Sequence, residues 1–226
     1  MTTGPTSSIS GQGSEPRRPR PRIETLADLI FGLSLSIGSL SLLTVTPLNP
    51  DEINNHILAF IFTFFILITA WLIYTTYMSV LPIETRVVTF LNVILLLMVT
   101  LVPFLFNAVE TSNSSLSPEA SLQIRDYSSQ LFAIDLTGIL LILAAFAHVL
   151  AIEENHLVPA ETIKLFKSGR NRMAVLALVM AITIAPQFWT WQLFNAPLRL
   201  YLWYLPLVSY WVGRALRPET RTYRLT

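Results

Sequence analysis

The 226-residue chain contains no cysteine. That absence excludes disulfides, thiolate zinc sites, iron–sulfur clusters and any catalysis that runs through a thiolate. Charge is also scarce: 13% of residues are charged, the net charge is +1, and the basic residues form only short clusters beside apolar runs. Nucleic acid would find no electrostatic footprint on such a chain. A Gly-rich phosphate loop, an HExxH zinc pattern and a nucleophile motif are missing as well, so the sequence supports neither an enzyme nor a cofactor or metal site.

What is abundant is apolar. Hydrophobic residues make up 53% of the chain, more than a domain with a wetted surface carries. Runs long enough to cross about 30 Å of hydrocarbon lie at roughly 26–46, 56–80, 87–107, 129–151, 173–194 and 197–215. The expected fold class is therefore all-α, a polytopic membrane protein with six transmembrane helices. Turn-forming stretches separate the runs: PLNPDEINN at 47–55, LPIE at 81–84 and ETSNSSLSPEAS at 110–121. Pro186 and Pro206 fall inside the last two runs and read as kinks. Residues 1–21 are rich in Gly, Pro, Ser and Arg with little to bury, and read as a disordered cytoplasmic tail. They lack the apolar core of a signal peptide. Residues 22–216 form the membrane domain, and 217–226 a second short cytoplasmic tail.

Thirteen of the fifteen Lys and Arg residues fall on one side of these crossings, leaving only Arg125 and Arg199 opposite. The positive-inside bias places both termini in the cytoplasm of a multi-pass plasma-membrane protein. The outer loops carry Asp51, Glu52, Glu110, Glu119 and Asp126, which would concentrate cations modestly within a Debye length of about 10 Å.

The first run carries the clearest functional signal. Arg22 and Asp28 flank its start, and charged residues at the lip of a spanning helix tend to have a role. On a helical wheel Leu26, Leu29, Leu33, Ser36, Ile37, Leu40 and Thr44 share one line, while Asp28, Gly32, Leu35 and Ser39 fall elsewhere. Asp28 and the aliphatic stripe thus face different neighbours. Taken alone, such a stripe marks contact with lipid or a packed helix.

The segment Arg22-Ile-Glu-Thr-Leu-Ala-Asp28, followed by LIFGLSLSIGSL, resembles the Arg-x-x-x-Phe-Ser-Asp signature of the transmembrane protein 175 family of potassium channels. Leu26 and Ala27 replace Phe and Ser, so one hydroxyl of the motif is absent. Further on, Trp71 with Tyr74 and Tyr77, then Asn92, then Leu-Val-Pro103-Phe104 are similar to the family's landmarks on helices two and three. The last three runs add no signature.

The resemblance implies a homotetramer in which helix one of each subunit lines a central pore for potassium and other monovalent cations. Leu33, five positions after Asp28, would form the tightest ring, followed by Ser36 or Ile37 and then Leu40, with Thr44 as a further lining position. Arg22, Asp28, Trp71 and Asn92 would hold helix one against helices two and three. No TVGYG filter is present, so a leucine ring would favour weakly hydrated cations and close by dewetting.

Other polar residues leave alternatives open. Asp135, within FAIDLTGIL, costs about 2.5–3.5 kcal/mol at membrane depth unless it finds a partner, and reads either as functional or as a hydrogen-bonded structural carboxyl. His148 lies too far along the same helix to share a metal with it. His56 and His156 sit at interfaces, where histidines are commonly just wetted. Trp189, Trp191, Tyr201, Trp203, Tyr204, Tyr210 and Trp211 read as an interfacial aromatic belt, and AETIKLFK at 160–167 as an amphipathic segment on the inner leaflet. A proton-coupled carrier relaying through Asp135 and His148 is the main competing function, and a non-conducting membrane scaffold the third.

Overall fold

The computed structural model describes residues 22–44, 49–81, 85–110, 117–152, 160–194 and 196–216. Both tails, parts of the loop stretches noted above and His156 lie outside the described residues. The order is α1 (Arg22–Thr44), α2 (Pro50–Met78), α3 (Arg86–Glu110), α4 (Pro118–Ala151), α5 (Ala160–Ile182), α6 (Gln187–Thr190), β1 (Gln192–Leu193), β2 (Ala196–Pro197), α7 (Leu198–Leu202) and α8 (Leu205–Ala215). Of these, α2, α3 and α4 are long and apolar enough to cross a membrane by themselves.

The turn stretches double as helix starts. Asn49 accepts a hydrogen bond from the Glu52 N–H at 2.9 Å and Pro50 follows it at the head of α2. Ser117 does the same for the Ala120 N–H at 3.2 Å, with Pro118 next. In each case a side-chain oxygen satisfies an orphan N–H, and proline, which has none to satisfy, occupies the first turn.

Packing is sequential. α4 lies against α5 and α3, and α1 sits in the angle between α2 and α3. α3 and α4 run antiparallel: the Arg125 Nε donates to the Val109 carbonyl near one end at 3.0 Å, and Gly138 meets Met98 further along. Lipid supplies no hydrophobic drive between helices, so close fit must. The interior is accordingly dense with rings: Trp203 packs at a tilt against Phe132, centroids 4.5 Å apart, with Phe106 beside both.

The last third departs from two uninterrupted crossings. α5 begins at Ala160, so the AETIKLFK stretch is not a separate surface segment but the first turns of α5, with Ile163 and Phe166 buried. The helix stops at Ile182, and Pro186 heads the short α6 instead of kinking α5. A hairpin pairs Gln192 with Pro197 and Leu193 with Ala196. Its turn residue Phe194 has φ 48° and is highly exposed, an unfavourable backbone region for a side chain with a Cβ. Pro206 lies in the first turn of α8, so the sixth run is broken at Trp203–Tyr204, not bent. Proline lacks an N–H and clashes with the preceding turn, so at these positions it starts helices. Trp203 is also no belt residue: it is 1% exposed, at the centre of the aromatic cluster.

Candidate pore helix and its supports

α1 has two sharply different faces. Ala27, Phe31, Ser34 and Gly38 are buried against α2 and α3, at the helical spacing of one line. Opposite them, Leu26, Leu29, Leu33, Ser36, Ile37 and Leu40 are exposed, with Leu33 at 54%. The wheel's second group divides: Asp28 and Leu35 sit half-buried on the flank, whereas Gly32 and Ser39 are exposed. Arg22 and Thr44 are the first and last residues of α1; their side chains lie outside the described set.

The exposed face differs in kind from that of a neighbour. Along α3 the outward positions beyond its first residues are Val87, Phe90, Val93, Leu97, Leu101 and Phe104, all bulky and apolar. On α1 the leucines alternate with Gly32, Ser36 and Ser39. Ser36 donates its hydroxyl to the Gly32 carbonyl at 2.9 Å, and Ser39 to the Ser36 carbonyl at 2.7 Å. Each proton is committed inward, and the oxygen's remaining lone pair stays on the exposed face as an acceptor.

Beneath α1, the Trp71 indole N–H donates to the Asp28 carboxylate at 2.9 Å, joining α1 to α2. Phe31 and Tyr74 contact one turn away, with ring centroids 5.9 Å apart. Asn92 of α3 is fully buried. Its amide faces the Tyr74 hydroxyl without reaching hydrogen-bond geometry, and bonds neither Asp28 nor Trp71. Nearer the other end Gly38 lies against Pro103, whose Cβ is 3.8 Å from where a Cβ at residue 38 would stand. Absence of a side chain there brings the two backbones together. Pro103 is buried and Phe104 points out.

Sequence reasoning missed the strongest polar cluster. Arg199 is fully buried on α7. It donates to the Asp126 carboxylate at 2.8 Å, to the Ser129 hydroxyl, and to the carbonyls of Thr183, Ile184 and Ala185 at 2.7, 3.2 and 3.0 Å. Those three carbonyls belong to the residues that directly follow α5, where the chain leaves the helix. The guanidinium also lies 5.7 Å from the Trp189 ring centroid. One side chain thus ties α4, the end of α5 and the broken sixth segment together. Its signal in the sequence was isolation: a lone Arg within an apolar run needs a partner.

No family model matches the chain, and neither does any curated protein sequence. The structure, however, is similar to the crystal structure of a lysosomal potassium-selective channel TMEM175 homolog from Chamaesiphon minutus. The match has a TM-score of 0.56 and 15% sequence identity, and covers 85% of this chain and 96% of that one. The chain has the TMEM175 fold. The fold implied by the resemblance at Arg22–Asp28, Trp71, Asn92 and Pro103 is the fold the structure has.

Within this TMEM175 fold the remaining polar residues take these places. His56 is not simply wetted: its Nδ1 lies 3.2 Å from the Glu110 carboxylate, pinning the start of α2 to the end of α3. His148 faces Arg170, with Nδ1 3.2 Å from Nη1, linking α4 to α5. Asp135 is buried, and its Oδ2 has no hydrogen-bond partner among the described residues. Among the described residues no group of three or more His, Asp or Glu side chains is placed to hold a metal.

Proposed function

We propose that the chain is the subunit of a homotetrameric, potassium-permeable cation channel in the plasma membrane, with both termini cytoplasmic and α1 of each copy lining the pore. Leu33 forms the constriction, followed by Ser36 and Ile37 and then Leu40, with Thr44 beyond them. Arg22, Asp28, Trp71 and Asn92 hold α1 in register.

The observation that carries this reading is the composition of the exposed face of α1. A face meeting lipid gains from being uniformly bulky, as on α3, whereas hydroxyls interleaved with leucines suit a face that meets copies of itself and hydrated ions. One helix cannot enclose a channel, so closed rotational symmetry is required. The likeness in fold to a potassium-selective channel homolog supports the ion, and four copies follow from the family resemblance. A leucine ring cannot replace hydration oxygens, so discrimination rests on how readily each cation sheds water, with Ser36 oxygens easing its passage.

Reconstitution into liposomes tests it. Wild type should carry K⁺ currents through discrete openings, and Leu33→Ala or Leu33→Asn should raise conductance and weaken discrimination against Na⁺. Unchanged permeation in both variants overturns the assignment of Leu33. A second reading rests on the buried Asp135: a proton-coupled carrier would show slow flux driven by a pH gradient and abolished in Asp135→Asn. A scaffold would conduct nothing.

A further inference from the structure

A groove opens between α2, α5 and α8, at the end of the bundle where α1 begins. Its volume is about 340 Å³, within the range that admits a small ligand or part of a lipid. Ile73 and Tyr77 of α2 and Leu165 and Phe166 of α5 form its apolar walls, and among the described residues none of α1 lines it. Two guanidiniums, Arg172 and Arg214, stand over those walls, and no Asp or Glu is among the described residues lining the groove.

Among the described residues nothing satisfies all the polar groups there. The Nε of Arg172 is buried and has no hydrogen-bond partner among the described residues, a costly state for a charged donor. Gly213 leaves room for this guanidinium: a Cβ there would come within 2.9 Å of Nη1. Arg214 donates to the Tyr210 hydroxyl at 3.2 Å, which holds the second cation on the same helix. Two cations with no counter-ion among the described lining residues repel each other, and an anion between them relieves both the repulsion and the orphaned donor.

We propose that this groove binds an anionic phospholipid, its phosphate between Arg172 and Arg214 and one acyl chain along Ile73, Leu165 and Phe166. A free phosphate would use only the cations. The apolar walls, and the 56% exposure of Leu165 at the side of the bundle, suit a ligand that arrives from the bilayer. Basic pockets between membrane helices are where anionic headgroups lodge, because the leaflet concentrates them. The site depends on the chain being a membrane-embedded bundle and not on where the pore runs, so failure of the channel reading leaves it standing.

The test uses the full-length chain purified in detergent, incubated with phosphatidylglycerol or phosphatidylcholine of matched chains and examined by native mass spectrometry. Wild type should retain phosphatidylglycerol in clear excess. Arg214→Gln, an exposed position, should lower that retention about fivefold, and the further loss of Arg172 by about the same factor again. Arg172→Lys, which keeps the charge but not the planar fork, should fall between. Arg170→Gln, on the same helix but bonded to Asn171 and His148 outside the groove, should retain the lipid as wild type does. Equal retention of the two lipids overturns the proposal, as does an Arg170→Gln loss equal to that of Arg214→Gln. Displacement of the lipid by millimolar inorganic phosphate would also overturn it, by making the site one for a soluble anion.

Discussion

The Trp71 indole N–H and the Asp28 carboxylate meet at 2.9 Å across 43 positions of sequence, binding the flank of α1 to α2. The bond leaves Leu33, five residues further on, on the opposite side of the helix. Asp28 is thereby positioned to fix the rotation of α1 and not to touch what lies on its exposed face.

Removing the donor with Trp71→Phe should therefore cost about 1 kcal/mol, the scale of interhelical hydrogen bonds in membranes. Asp28→Asn should cost a similar amount, and the double variant little more than either, because the pair shares one interaction. Reversible unfolding in micelles reads the cycle. Asp28→Ala should lower the yield of folded oligomer more than it alters K⁺ over Na⁺ preference. Altered preference with assembly intact would place Asp28 in the pore and rotate α1 away from the assignment above.

The absence of cysteine makes accessibility directly measurable. Single cysteines at Leu33, Ile37 and Leu40 should react with a charged thiosulfonate added to reconstituted channels and cut the K⁺ current, while Leu97→Cys on the outward face of α3 should leave it untouched. A lipid-facing thiol is buried in hydrocarbon, where a charged reagent does not enter. Reaction at residue 97 with silence at residue 33 would exchange the roles of the two helices.

How far the chain could be read without coordinates follows from the physics of each segment. α1 to α4 were legible because each holds a long apolar run bounded by turn-forming residues; the starts of α2 and α4 were not, since Asn49–Pro50 and Ser117–Pro118 open these helices in polar sequence ahead of the runs at 56 and 129. The exposed stripe of α1 was legible because helical periodicity is strict. The flank was not: Gly32 and Ser39 sit far from the stripe on a wheel but are exposed, because among the described elements it is chiefly α2 and α3 that pack against this helix. The segment from Thr183 to Pro206 was misread, since an apolar run with prolines is compatible with a kinked crossing or with broken pieces, and the choice is made by Arg199, whose acceptors come from distant positions. Trp203 was misplaced because composition cannot separate an interfacial indole from a core one.

Gly138 offers a prediction about close packing. A Cβ there would overlap the sulfur and terminal methyl of Met98 on α3. The obstacle is the end of a flexible side chain, so Gly138→Ala should be tolerated at a cost of about 1 kcal/mol as Met98 changes rotamer. Gly138→Ile should cost more, and Met98→Ala should restore part of that loss. Thermal stability measured by size exclusion after heating checks the order. An additive double variant would mean that α3 and α4 do not approach at this point.

Arg199 should be the most sensitive position outside α1. Arg199→Leu leaves Asp126 without its cation and takes the guanidinium from the carbonyls of Thr183 and Ile184, and from that of Ala185, which keeps the Phe188 N–H, so the loss should approach the roughly 3–5 kcal/mol of a broken buried pair. Arg199→Lys keeps the charge, but a single ammonium with three protons cannot reach five acceptors in different directions, and should recover only part of it. Asp126→Asn tests which half of the cluster matters. That side chain is 29% exposed, and an amide oxygen still accepts, so the loss should be about 1 kcal/mol. Stability ordered as wild type, Asp126→Asn, Arg199→Lys and Arg199→Leu would establish that this arginine acts chiefly by holding the segment that follows α5. Were Asp126→Asn as damaging as Arg199→Leu, the ion pair itself would be the clasp, and the carbonyls would be finding water once the guanidinium is gone.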